Sequence, residues 1–344
     1  MLQPALAGPA ELPERLECPS QRDLLDVAWR PAPSGSYALI VGASGTVLQY
    51  TGKFFITLSP GVASDLHGVG WHPSGDTALL VGDGGAVLEW DGHSFRELNG
   101  TSSVRLEAVA WRPQGDMALL CGHNGTLLAY AHGAFSRITT NASWPLTSVA
   151  WRPDGRIALV AGDSGTLLRY DPETGSVLHL DTGTSEFVRT AAWRPDGGCA
   201  LLAGTLGTLL RYDGTRFTPV AASTASQFLA IAWSTDNRTA LVSARGGLLY
   251  RYTDGAGLEA IETDTGFSVL SISFRPDGRY ALCTGEGGLV LRYPAAPAPD
   301  GGDGSARDGD GGPLLLSAVA LMASAIVSLL LALLMVRRAR RSSR

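Results

Sequence analysis

Short apolar runs and polar turns alternate along this chain in one order, and the order recurs seven times. The aromatic anchors of the pattern are Trp29, Trp71, Trp111, Trp151, Trp193, Trp233 and Phe274, at intervals of 42, 40, 40, 42, 40 and 41 residues. Each unit reads as four short strands. The first ends at the anchor, as in Ser148-Val149-Ala150-Trp151, and a polar turn such as Arg152-Pro153-Asp154-Gly155 follows. Proline early in that turn and glycine at its end suit a tight hairpin. The second strand is an unbroken apolar run, for example Ala118-Leu119-Leu120-Cys121. Consecutive apolar positions imply burial on both faces, which a sheet packed between two neighbours provides.

The turn into the third strand holds a glycine in all seven copies: Gly45, Gly85, Gly125, Gly165, Gly207, Gly247 and Gly288. That constancy predicts a positive φ or a close backbone approach. Five residues later an aromatic closes the strand: Tyr50, Trp90, Tyr130, Tyr170, Tyr212, Tyr252 and Tyr293. The fourth strand ends at Leu58, Leu98, Ile138, Leu180, Val220 and Ile261, each thirteen residues before the next anchor. Thirteen residues before Trp29 stands Leu16, while the unit after Tyr293 runs into Pro294-Ala295-Ala296-Pro297 and lacks a fourth strand. The segment Leu12–Leu16 is therefore expected to complete the last unit. A repeat of this length also permits a linear β-solenoid. The borrowed strand favours a closed ring without open sheet edges. The fold class read from the chain is all-β: a seven-bladed β-propeller over residues 11–293, closed by an N-terminal strand.

The run Val149-Ala150-Trp151-Arg152-Pro153-Asp154-Gly155, followed by Gly162-Asp163-Ser164-Gly165-Thr166-Leu167, resembles a WD-repeat motif across roughly residues 12–293. The Gly-His pair of that motif is missing, and Trp90-Asp91 alone spells its terminal dipeptide, with Tyr170-Asp171 and Tyr212-Asp213 as near forms. The Gly-Asp-x-Gly-Thr-Leu-Leu turn also resembles the propellers of photosystem assembly factors and BNR-like proteins. Both resemblances imply a propeller, and the choice between them stays open.

The C-terminal region has a different composition. Residues 294–312 are rich in Pro, Gly, Ala and Asp and read as a flexible acidic stalk. Pro313 to Val336 are 24 uncharged, mostly apolar residues. As a helix they span about 36 Å, enough to cross a bilayer core of about 30 Å. Arg337, Arg338, Arg340, Arg341 and Arg344 follow in the tail 337–344, which places that tail in the cytoplasm and the propeller outside. Within the span Ala320, Ser324, Ser328 and Ala332 recur every four residues, a stripe that would allow a weak homodimer.

The asparagines bear on the same question. There are four, Asn99, Asn124, Asn141 and Asn237, and each opens an Asn-x-Ser/Thr sequon. They are candidate glycosylation sites and support an extracytoplasmic propeller. Residues 1–10 lack a charged n-region and a long apolar core, although Ala5-Leu6-Ala7 has the form of a cleavage-site remnant. A tail-anchored protein with its propeller in the cytoplasm is the alternative.

The net charge of −5 includes the five tail arginines; without them 22 basic residues face 32 acidic ones. Such a surface is a poor match for nucleic acid. Arg30, Arg112, Arg152, Arg194 and Arg275 recur with the hairpin and are expected to pair with nearby acids. Cys18, Cys121, Cys199 and Cys283 show no metal-ligand spacing, and the register predicts buried free thiols, with Cys18 on the closing strand. Cys121-x-His123 finds no second ligand pair, so no metal and no cofactor is expected. No nucleophile elbow, zincin helix or phosphate loop is present.

The blades differ in length by at most two residues, apart from an insertion near Pro31-Ala32-Pro33, and leave no segment for a lid. The chain is therefore expected to be a non-catalytic platform for a protein partner. A surface hydrolase or lyase using the central channel is the enzymatic alternative. Candidate binding residues lie ahead of the anchors, in predicted rim loops: His67, Arg105, Glu107, Trp144, Phe187, Arg189 and Phe228. Aromatics and arginines are common interface anchors. Phe187 and Phe228 also fit a purely structural place as caps of the blade core. Glycans on Asn99, Asn124 and Asn141 would crowd Trp144, which directs a partner toward blades five to seven or the opposite face.

Overall fold

The computed structural model describes residues 12–31, 37–98, 103–222 and 224–294. They form seven four-stranded antiparallel sheets. The first blade consists of strands Leu24–Trp29, Ala38–Gly42, Thr46–Tyr50 and Phe55–Leu58. The first strands of the other blades are Leu66–Trp71, Leu106–Trp111, Leu146–Trp151, Val188–Trp193, Phe228–Trp233 and Val269–Phe274. Each touches the first strand of both neighbouring blades, round the full circle from the seventh back to the first. The described residues are therefore a closed seven-bladed β-propeller with its first strands innermost.

The core lies between blades. Leu39 and Val41 of the first blade pack with Leu66, Val69, Trp71 and Leu88 of the second. Ala38 and Ile40, on the opposite face of the same strand, pack with Leu282 and Val290 of the seventh. Successive residues of one strand thus serve two interfaces, which is why the second strands are almost wholly apolar, with Thr239 and Ser243 in blade six and Thr284 in blade seven as the polar positions.

The anchors and the arginines after them link blade to blade. The indole N–H groups of Trp71, Trp151 and Trp233 donate to the carbonyls of Ala28, Ala110 and Ala192 in the preceding blades, each at 3.1 Å. Arg30, Arg112, Arg152 and Arg275 stack over Trp71, Trp151, Trp193 and Trp29 of the following blade at 5.5 to 6.0 Å. Four of the five arginines meet the expected acids, among them Arg112 with Asp116 and Glu173 and Arg194 with Asp196 and Asp254, whereas Arg30 donates instead to the Gly75 carbonyl at 2.6 Å.

The seven turn glycines all have positive φ, between 61 and 78 degrees. Close approach holds as well. A Cβ on Gly125 would stand 1.9 Å from the Ala142 carbonyl oxygen in the loop leading to the next blade. Leu58 and Ile261 end their fourth strands as expected, and four other fourth strands are shorter. Leu98, Ile138, Leu180 and Val220 lie one residue beyond them, yet each N–H still donates to a carbonyl of its third strand.

Closure follows the thirteen-residue spacing. Strand Glu14–Arg15 pairs antiparallel with Val290–Pro294, Glu14 opposite Arg292 and Arg15 opposite Leu291. The Leu16 N–H donates to the Val290 carbonyl at 2.9 Å, and its side chain packs beside Trp29 and Tyr50. Cys18 lies beyond this strand rather than on it and is half-buried; the three other cysteines are buried, and all four are free thiols.

No helix among the described residues is long and apolar enough to cross a membrane. Pro294, the first residue of the expected stalk, instead ends the strand Val290–Pro294; the rest of the stalk, the span and the tail lie outside the described residues, as do residues 1–10, the insertion after Pro31 and Asn99.

Candidate functional site: the central cavity

Each first strand contains the same irregularity. In the first blade Leu24 pairs with Gly42 and Asp26 with Val41, so Leu25 is an extra residue without a partner. Equivalent register shifts make His67, Glu107, Thr147, Arg189, Leu229 and Leu270 the extra residues of blades two to seven. A β-bulge redirects the side chain it carries. All seven bulged residues line one cavity of about 490 Å³ at the centre of the ring. That volume is in the range of small-ligand sites.

The bulge ring is divided. Blades two to five contribute His67, Glu107, Thr147 and Arg189, a polar arc, while blades six, seven and one contribute Leu229, Leu270 and Leu25. Val27, Val109, Val149, Ile231 and Ile272, two residues further along, add an apolar layer. His123 and Asp163 also line the cavity, from the turns between second and third strands. The cavity therefore meets the face that carries those turns and the loops between blades.

Charges on the polar arc are coupled across two blades. His67 Nε2 is 2.9 Å from Asp83 Oδ1, and His123 Nε2 is 2.9 Å from Glu107 Oε1. Arg105 Nε joins the two pairs, 2.8 Å from Glu107 Oε1 and 3.7 Å from Asp83 Oδ1. Asp65, His67 and Asp83 each offer a ligand atom within 4.8 Å of the others, a possible cation cluster. The Arg105 guanidinium already supplies positive charge beside Asp83, so this geometry does not call for a metal.

Two groups stand apart from that network. Asp26 accepts hydrogen bonds from the Val27 N–H at 2.9 Å, the Val69 N–H at 2.8 Å and the Ser271 hydroxyl at 2.6 Å. Desolvation nevertheless pushes its pKa up to about 6. Arg189 has no hydrogen bond or ion pair from its guanidinium among the described residues. Burial lowers its pKa; Glu107 opposes that shift, and Arg245 and Arg105 add to it.

The structure redistributes the sequence-derived candidates. His67, Glu107 and Arg189 belong to the first strands rather than to rim loops, and reach the cavity because of the bulge. Arg105 and Phe187 lie just before their strands and also line the cavity. Phe228 is fully buried, at the position where the other blades have Leu24, Leu66, Leu106, Leu146, Val188 and Val269. It fills the interface between blades, so it is a packing residue and not a rim contact. Trp144 is 55% exposed on the cavity face and lies outside the cavity lining.

Asn124 and Asn141 sit near Trp144: the Gly125 N–H donates to the Trp144 carbonyl, and Thr140 Oγ1 to the Gly125 carbonyl. Asn237 occupies the first hairpin of blade six, on the opposite face, where Gly155 and Gly197 stand in blades four and five. The three asparagines have φ of 54, 53 and 59 degrees. Asparagine tolerates this left-handed conformation, so the backbone accounts for it at these positions with or without a glycan.

Sequence reasoning passed over Leu25, Thr147, Leu229 and Leu270. The signal was available: the position four residues before the anchor carries Leu, His, Glu, Thr, Arg, Leu and Leu, while the position before it is uniformly apolar. No known family model matches the chain, and no curated protein is significantly similar to it.

Proposed function

We propose that this protein is a membrane-anchored, extracytoplasmic propeller that binds a protein partner on its cavity face, without catalysis. One observation carries the choice of face. Trp144, Leu206, Leu248 and Phe267 are large exposed apolar side chains in the turns and loops of the face that also opens onto the cavity. Leu206 holds a left-handed backbone at φ 52 while 68% exposed, a costly arrangement for a branched apolar residue with no packing to offset it. Leu206, Leu248 and Phe267 follow one another across blades five, six and seven, away from the sequons Asn124 and Asn141.

A photo-crosslinking residue placed at Leu206 or Phe267 should form a discrete adduct in cells. The same residue at Ile56 or Leu178, on outer strands, should not. Adducts only from the outer strands would place the partner elsewhere. Topology has its own test, motivated by the arginine-rich tail and the sequons. Peptide-N-glycosidase should increase the mobility of the native protein. Unchanged mobility, with a propeller protected from protease in intact cells, would favour the tail-anchored arrangement.

The enzymatic reading draws on the two histidine–carboxylate pairs at the cavity. Incubation with a cell extract, followed by untargeted mass spectrometry, addresses it. Consumption of a metabolite by the wild type but not by Glu107→Gln would replace the platform reading.

A further inference from the structure

We infer that the central cavity takes a carboxylate, held by Arg189, on a molecule whose adjoining apolar part lies against Leu25, Leu229 and Leu270. The inference rests on the cavity face being the binding face and names the chemistry it recognises.

Several arginines of the ring find an oxygen partner: Arg30 donates to the Gly75 carbonyl and Arg245 to the Gln227 amide oxygen. Arg105, Arg112, Arg194, Arg211, Arg251 and Arg292 each meet an acid. Arg189 meets none among the described residues, although it lines the cavity and is half-buried. A guanidinium in that position gives up part of its hydration without gaining a partner, which is unfavourable. The same bulge holds leucine in three other blades, so the backbone accommodates an apolar side chain there. An unpaired cation at a converging position, where leucine fits, is explained by an anion that arrives from outside.

The surroundings select the anion. Asp26, Glu107 and Asp163 also line the cavity and oppose a dianion such as phosphate. A monoanion with two coplanar oxygens matches the guanidinium fork and adds the least repulsion. The leucine arc then receives the carbon skeleton attached to it. A peptide C-terminus with an apolar last residue and a short-chain fatty acid share this chemistry.

Calorimetric titration of the full chain in detergent tests the site, with protein-free micelles as the blank for partition. The probes are hexanoate, hexanamide, a pentapeptide ending in leucine with a free or an amidated C-terminus, and inorganic phosphate. Saturable binding of hexanoate or the free-acid peptide is expected, at least tenfold weaker for the amide of the same probe. Arg189→Leu and Arg189→Gln should each weaken it at least tenfold, while Arg189→Leu melts at a higher temperature than the wild type. The tighter of the two acids identifies the natural source. No binding by either acid, equal binding of acid and amide, tighter binding of phosphate, or a lower melting temperature for Arg189→Leu overturns the inference. Intact crosslinking from Leu206 with no carboxylate preference removes the subsite and leaves the platform. Arg189-dependent binding without cavity-face crosslinks removes the protein platform and leaves a small-molecule site.

Discussion

The Ser271 hydroxyl of the last blade donates to the Asp26 carboxylate of the first at 2.6 Å, across the junction where the ring closes. The other carboxylate oxygen accepts the Val69 N–H of the second blade, so one side chain spans three blades. The price of this bridge is desolvation, which holds Asp26 near pH 6 instead of about 3.9. Between those values the folded ring keeps a proton that the unfolded chain releases, so stability falls as pH rises through that window. Urea melts from pH 4 to 7 should show this loss, on the order of 2 kcal/mol. Asp26→Asn stays uncharged throughout and should flatten that part of the profile; an unchanged slope would assign the pH dependence to other groups.

The closing strand is short, and its strength comes from Leu16 rather than from its charges. Leu16→Ala removes a half-buried side chain beside Trp29 and Tyr50 and should cost about 1–2 kcal/mol. Glu14→Gln breaks only an exposed pair with Arg292 and should cost less than about 1 kcal/mol. Chemical denaturation separates the two. Equal losses would mean that the ion pair, not the packed leucine, fastens the ring.

Gly125 and Gly133 have similar backbones, with φ of 61 and 79 degrees. A Cβ at Gly125 meets the Ala142 carbonyl at 1.9 Å, whereas at Gly133 nothing lies within 4 Å. Gly133→Ala should cost only the left-handed strain, about 1–2 kcal/mol. Gly125→Ala must also displace the next blade's loop and should cost at least twice as much. Comparable melting temperatures for the two variants would show that φ alone accounts for the glycine.

Leu206→Gly relieves a left-handed leucine and removes exposed apolar surface. A gain of about 1 kcal/mol is expected, together with weaker attachment of the proposed partner, read as less crosslinking from Phe267. A gain in stability with undiminished crosslinking from Phe267 would remove Leu206 from the interface.

The fold was legible because seven copies of one unit report the same constraints repeatedly. Two features of Gly125, positive φ and close approach, were both readable from its constancy. The site was harder to read because cavity-facing positions are those where the copies disagree, and disagreement resembles noise. Arg189 and Leu229 occupy one structural position with opposite chemistry, and only the shifted register shows that both turn inward. Phe228 shows the converse, and its structural place as a cap of the blade core is the reading the structure bears out. One residue earlier in the strand, the same kind of aromatic falls into the wall between blades.

The pairing of Glu14 with Arg292 joins residues 278 positions apart. At about 5–20 residues per second, roughly 14 to 56 s of synthesis separate the two partners. Throughout that interval the first strand to emerge has no mate, and six blades can form before it is needed. The ring therefore cannot finish vectorially. Its last act of folding returns to its oldest residues, and whatever shields that waiting segment during translation governs how much protein matures.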